Sequence, residues 1–149
     1  MHAKHYLHLA VMTVLMFIAM FWLMYAMVNR WENVFPNINQ FYMAGLMTAP
    51  MVLIELAVMR AMYENGTVNI AIVVVSLLGF ALFWFGIREQ LAVGDRQFLK
   101  SMIPHHGGAI LMCEQAPLEN PEVRELCGKI IADQQAEITQ MKELLARLK

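Results

Sequence analysis

The pattern of hydrophobic and polar positions divides the chain in two. From Leu7 to Val28 there are 22 residues without a charge, enough at about 1.5 Å per residue to cross a hydrocarbon core of roughly 30 Å. Phe41 to Tyr63 is a second apolar stretch, interrupted by Glu55 and Arg60, and Pro50 in its middle is expected to kink it. Asn65-Gly66 reads as a turn, after which Val68 to Ile87 supplies 20 uncharged residues. The pattern predicts three spanning helices with the two ends of the chain on opposite sides. The first run is too long for a secretory signal and no small-residue cleavage pattern follows, so it is read as retained. Asn29 to Gln40 reads as an interfacial loop, with Trp22, Tyr25 and Trp31 suited to a headgroup belt.

Beyond Arg88 the pattern becomes amphipathic and charge-laced. The third helix is expected to run on into this part, with Gly94 as its soft point. A helix is predicted over Asp95 to Gln115, then a turn from Pro117 to Pro121, with Asn120 as cap and Pro121 at the first position of a last helix reaching Leu148. The expected domains are a three-span anchor over 1–87 and a helical hairpin over 88–149. Two helices present an apolar stripe that they cannot bury alone. The all-α fold is therefore expected to be completed by a homodimer or higher homo-oligomer that builds a four-helix bundle.

Composition agrees with lipid as a partner: 59% of residues are hydrophobic, 15% are charged and the mean hydropathy is +0.50. The net charge of −1, without a basic cluster, excludes a nucleic-acid partner as an expectation.

Candidate chemistry concentrates in the hairpin. The last helix fits two seams: Val123, Cys127, Ile130, Gln134, Glu137, Met141, Leu144 and Leu148, or Cys127, Ile131, Gln134, Ile138, Met141 and Leu145, which leaves Glu137 in water. Folding the hairpin about residues 119–120 sets Met102 opposite Glu137, His105 and His106 opposite Gln134 and Asp133, and Met112 opposite Cys127. Adjacent helical histidines diverge by about 100°, so one points inward unless Pro104, which frees the Lys100 carbonyl, loosens the helix for both. Thioethers and thiols favour monovalent copper or silver, and imidazole tolerates many ions. The chain has no Glu-x-x-His pair for a di-iron bundle, and its two cysteines lack zinc-finger spacing. Cys113 and Cys127 remain open to three readings: a disulfide, thiolate ligands or packing.

Eleven of the 14 methionines lie before residue 88. Met12, Met16, Met20 and Met24 repeat at four-residue spacing, and Met43, Met47, Met51, Glu55, Met59 and Met62 form a similar stripe. Met47, Met51 and the intramembrane carboxylate Glu55 suit passage of a soft cation; methionine equally suits plain packing. His2, His5 and His8 fit either ion capture or a polar lead-in to a span.

The run Phe98-Leu99-Lys100-Ser101-Met102-Ile103-Pro104-His105-His106, continuing through Ala109-Ile110 to Met112, resembles the CopM-type bacterial family, a ferritin-like domain of unknown function. Pro121-Glu122-Val123-Arg124, Ile130-Ile131, Gln135-Ala136-Glu137-Ile138 and Met141-Lys142 extend the resemblance over about Asp95 to Leu148. It implies a ferritin-like bundle, extracytoplasmic binding of copper(I) or silver for tolerance or transfer, a copper donor or acceptor protein as partner, and no enzymatic reaction. The implied ligands are Met102, His105, His106, Met112 and Met141, with Glu137 as ligand or orienting group. Gly107 departs from the pattern, where Gln or Glu is common in the family, and so does Cys113, where Ala is. The resemblance implies a multi-pass protein of the bacterial inner membrane with the hairpin outside. The positive-inside count, Lys4 and Arg60 against Arg30, Arg88, Arg96 and Lys100, leans the other way.

Overall fold

A computed structural model describes residues 2–148, with side chains from residue 4 onward. Five helices follow in order: α1 (His2–Leu23), α2 (Ile38–Val58), α3 (Gly66–Arg88), α4 (Asp95–Gln115) and α5 (Pro121–Arg147). No strand occurs among the described residues. The chain forms two compact units, residues 1–24 with 39–91, and residues 25–38 with 92–149. The contact boundary thus falls after residue 91 rather than 87, and the expected interfacial loop is counted with the hairpin.

In the first unit, apolar stretches of 24, 21 and 23 residues each exceed a hydrocarbon core of roughly 30 Å, so three helices are long and apolar enough to cross a membrane. The α2 stretch is 33% buried against 6% and 11% for the other two, which makes it the middle helix. Small residues let the helices approach. A Cβ at Gly45 would collide with the Phe83 ring, and one at Gly86 would stand 3.0 Å from Tyr42. At one end Leu9, Val52, Leu56 and Tyr63 form a core. There the Tyr6 hydroxyl donates to Asn69 (2.8 Å) and accepts from the Asn65 backbone N–H (3.1 Å). The second helix stops at Val58, short of the expected Tyr63. Arg60–Met62 turns as a 3-10 helix that folds Tyr63 back into this core. Burial, and then the charge of the neighbouring Glu55, hold the Tyr63 pKa above the usual phenol value.

The third helix does not run on. It ends at Arg88, and Gln90 takes a left-handed conformation (φ 50°) while its side-chain amide donates to the Ile87 carbonyl (2.7 Å) and exchanges two hydrogen bonds with Asn39. Gly94 then caps α4 from outside the helix.

In the second unit, α4 and α5 pack as an antiparallel hairpin around Leu99, Ile103, Ile110, Ile138, Met141 and Leu145. Ile103, Ile110 and Ile138 are fully buried, each contributing about 1.5–3 kcal/mol by removal from water. Asn120 accepts from the backbone N–H groups of Glu122 and Val123, with Pro121 at the first helical position as the sequence predicts. A Cys113–Cys127 disulfide closes the turn end, and Arg96 closes the other by donating to the Leu148 carbonyl (2.6 Å).

The linker 25–38 belongs to this core. Phe35 packs on it; Tyr25, only 7% exposed, donates to the Phe35 carbonyl, so Tyr25 is a linker brace rather than a headgroup anchor. Trp22 and Trp31 are exposed as expected. The Lys100 carbonyl that Pro104 leaves without a helical donor accepts instead from the Asn37 side chain (3.3 Å), and the Ile38 N–H donates to Gln97 (3.1 Å). The linker therefore covers part of the stripe that a second copy was expected to bury.

Candidate functional site

Helix α4 is continuous through Pro104, so its two histidines diverge as regular geometry dictates. Their ring centroids lie 6.2 Å apart with planes at 65°. His106 points inward and is 8% exposed, whereas His105 points outward. The expected loosening that would turn both inward does not occur, because Asn37 satisfies the freed carbonyl.

Both His106 nitrogens are engaged. Nδ1 lies 2.9 Å from the Met102 carbonyl, a pure acceptor, so Nδ1 carries a proton and donates. Nε2 lies 2.6 Å from Oε2 of Glu137. With Nδ1 protonated, that contact also needs a proton, held either by the ring as imidazolium or by the carboxyl group. A cation reaching Nε2 must displace this proton and the carboxylate with it. Glu137 is 52% exposed along its side chain, so it can swing into water at little cost.

This pairing corrects the expected partner of Glu137, while the Cys113–Cys127 bond keeps the fold-back within one residue of that expected. Glu137 faces His106, about one helical turn from the Met102 placed opposite it by folding at 119–120. The α5 seam takes the second phase: Ile138, Met141 and Leu145 are buried, while Val123 and Leu144 are exposed. Glu137 sits at the edge of that seam, wet on one side and bonded on the other.

Of the residues singled out from the sequence, Met102 and Met141 pack in the hairpin core, and His106 and Glu137 pair beside them. Met112 is 55% exposed and His105 is also on the surface, so neither joins the pair. Cys113 and Cys127 are joined to each other; a disulfide has no thiolate to offer, which removes them as ligands in this state. Met47 and Met51 are 39% and 38% exposed on the outside of α2, and Glu55 lies near Tyr63. His5 has a buried Nδ1 without a partner, His8 is exposed, and the His2 side chain lies outside the described residues.

No three His, Cys, Asp or Glu side chains converge among the described residues.

Sequence reasoning missed the linker. Asn33 is 3% exposed and donates to Asn29 (2.8 Å), and Asn29 Oδ1 lies 2.8 Å from where a Gly107 Cβ would stand. The signal was legible in Gly107-Gly108, since two glycines inside a helix cost about 1 kcal/mol each unless a close approach requires them. That approach accounts for the glycine at 107: the linker occupies the space where a side chain would stand.

Fold and site together define a helical protein with three helices fit to span a membrane, joined to a linker-braced, disulfide-closed hairpin with a buried histidine paired to a half-exposed glutamate. Residues 87–145 match a domain of unknown function, DUF305. The chain is 31% identical over 141 residues, 90% of its own length and 91% of the relative's, to uncharacterized protein L153 of Acanthamoeba polyphaga mimivirus. It belongs to the family of that viral protein. No solved structure matches it. Neither description names a metal.

Proposed function

We propose that the protein binds a monovalent soft cation, copper(I) or silver, as cargo in its hairpin, for sequestration, tolerance or transfer, and is not an enzyme. The observation that carries this reading is the buried His106, paired through Nε2 to the half-exposed Glu137 beside the core thioethers Met102 and Met141. A buried imidazole in an apolar seam is costly unless partnered. Here its partner is removable and its surroundings are soft. His106, Met102 and Met141 would hold the cation, and Glu137 would give up the nitrogen and stay near as a compensating charge.

The disulfide supports a hairpin on an oxidising face, as the outer side of the bacterial inner membrane is. A bundle of two hairpins, with a copper donor or acceptor protein as partner, belongs to the same reading. Conduction along Met47, Met51 and Glu55 has less support, because those methionines face outward on α2.

The test is a copper(I) competition titration of the full chain in detergent against a chromogenic chelator. Loss of the tightest equivalent in His106→Ala, with the helical content unchanged, is expected. Full capacity in that variant refutes the hairpin site, and no binding by either protein points to a metal-free scaffold.

A further inference from the structure

Each of the three apolar helices carries a hydroxyl near its centre. Thr13, Thr48 and Ser76 fall close to the middle of the stretches Lys4–Met27, Ile38–Val58 and Gly66–Arg88, and all three line one cavity of about 380 Å³ in the first unit. Thr13 and Thr48 spend their protons within their own helices, donating to the Leu9 (2.8 Å) and Ala44 (2.7 Å) carbonyls. Ser76 does not. It is 9% exposed, and its hydroxyl makes no hydrogen bond among the described residues. A buried donor without a partner is costly, the more so in hydrocarbon, where no water can take its place. Two glycines shape the space. Gly45 leaves room for the Phe83 ring, which forms one wall of the cavity. Gly79 lies between Ser76 and Phe83 on one face of α3, and no atom lies within 4 Å of where its Cβ would stand.

We propose that this cavity binds a lipid-soluble quinone, one ring carbonyl of which accepts a hydrogen bond from Ser76 Oγ. The volume falls in the range of small-molecule sites, roughly 300–1,000 Å³. The ligand is uncharged, because no charged side chain lines the cavity. It carries an acceptor at the depth of the helix centres. A phospholipid does not, since its ester carbonyls stay at the headgroup level and its chains have no acceptor at all. Two walls are the rings of Phe17 and Phe83, which suit a flat ring in stacked or edge-on contact. A quinone ring meets all of these conditions. The inference stands apart from the soft-cation reading, because no residue of the hairpin or the linker enters it.

The test reconstitutes the full chain in phosphatidylcholine nanodiscs and labels it with a photoreactive azido-decylbenzoquinone. Saturable labelling of the peptides that line the cavity is expected, with displacement by excess unlabelled decylbenzoquinone. Gly79→Leu puts a side chain into the open space and should abolish the labelling. Ser76→Ala should weaken binding about tenfold, the effect of one hydrogen bond, and Ser76→Thr should restore it. Ser76→Ala removes a single oxygen, so the fold should survive, and an unchanged thermal transition checks this. Labelling that unlabelled quinone does not displace, that persists in Gly79→Leu, or that is as strong in Ser76→Ala overturns the site.

Discussion

Gly107→Ala and Gly128→Ala are the same chemical change in the two helices of one hairpin, and the structure gives them opposite signs. Replacing a glycine inside a helix by alanine stabilises by about 1 kcal/mol when nothing opposes it. At Gly128 no atom lies within 4 Å of the added methyl group, so the full gain is expected. At Gly107 the methyl group would stand 2.8 Å from Asn29 Oδ1 and 3.2 Å from Val28 Cγ1. Asn29 can retreat only by releasing the side chain of Asn33, which is buried and donates to it. A buried donor left without a partner costs about 1–3 kcal/mol. Set against the helix gain, Gly107→Ala should destabilise by about 1 kcal/mol, so the two variants differ by about 2 kcal/mol. Thermal unfolding of the full chain in one detergent gives the signs. Hydrogen exchange locates the effect: amides of residues 28–37 should lose about tenfold in protection per 1.4 kcal/mol in Gly107→Ala and none in Gly128→Ala. If Gly107→Ala stabilises as much as Gly128→Ala, the linker does not rest on α4 as described.

Removing the disulfide by Cys113→Ser with Cys127→Ser should cost about 3 kcal/mol for a loop of this length, read as a lowered unfolding midpoint that added reductant reproduces in the native chain; an unchanged midpoint means that the bond does not form. Ile103→Ala, at a fully buried position, should lose about 2–5 kcal/mol, while Phe98→Ala, half exposed on the same helix, should lose well under that in the same melt. Glu137→Ala should cost about 1 kcal/mol by leaving His106 Nε2 without a partner, and Glu137→Gln much less because an amide can still face that nitrogen; equal losses would show that charge rather than the hydrogen bond matters. Met47→Leu with Met51→Leu should leave the number of bound copper(I) ions unchanged, and a drop would bring the membrane methionines back as ligands.

The helix boundaries of the hairpin were legible because their signals are local. Asn120-Pro121 caps and opens α5, and the charge-laced pattern beginning at Asp95 marks α4. The three helices long and apolar enough to cross a membrane were legible from length and apolarity alone. The hairpin register was legible to within one residue at the turn, where Cys127 pairs with Cys113 beside the expected Met112, but the partner of Glu137 was not, since a small slide keeps the apolar stripes in contact. Only long-range pairings such as Cys113 with Cys127 and His106 with Glu137 fix the register. The linker was the largest omission. Its bonds join residues some sixty positions apart, Asn37 to Lys100 and Ile38 to Gln97, and no periodicity announces them. What did announce them was negative, a proline and two glycines where a free-standing helix would have neither. The candidate site was visible as residue types, but which histidine turns inward depends on α4 staying regular through Pro104.

X-ray absorption at the copper edge of the full chain, with its disulfide intact and one equivalent of copper(I) bound, tests the account's central claim most directly. With both cysteines joined to each other, any sulfur bound to copper as a thioether must come from methionine. The account predicts sulfur together with nitrogen around the metal, and loss of the nitrogen in His106→Ala. A copper surrounded by nitrogen and oxygen alone, or none retained after desalting, would contradict it.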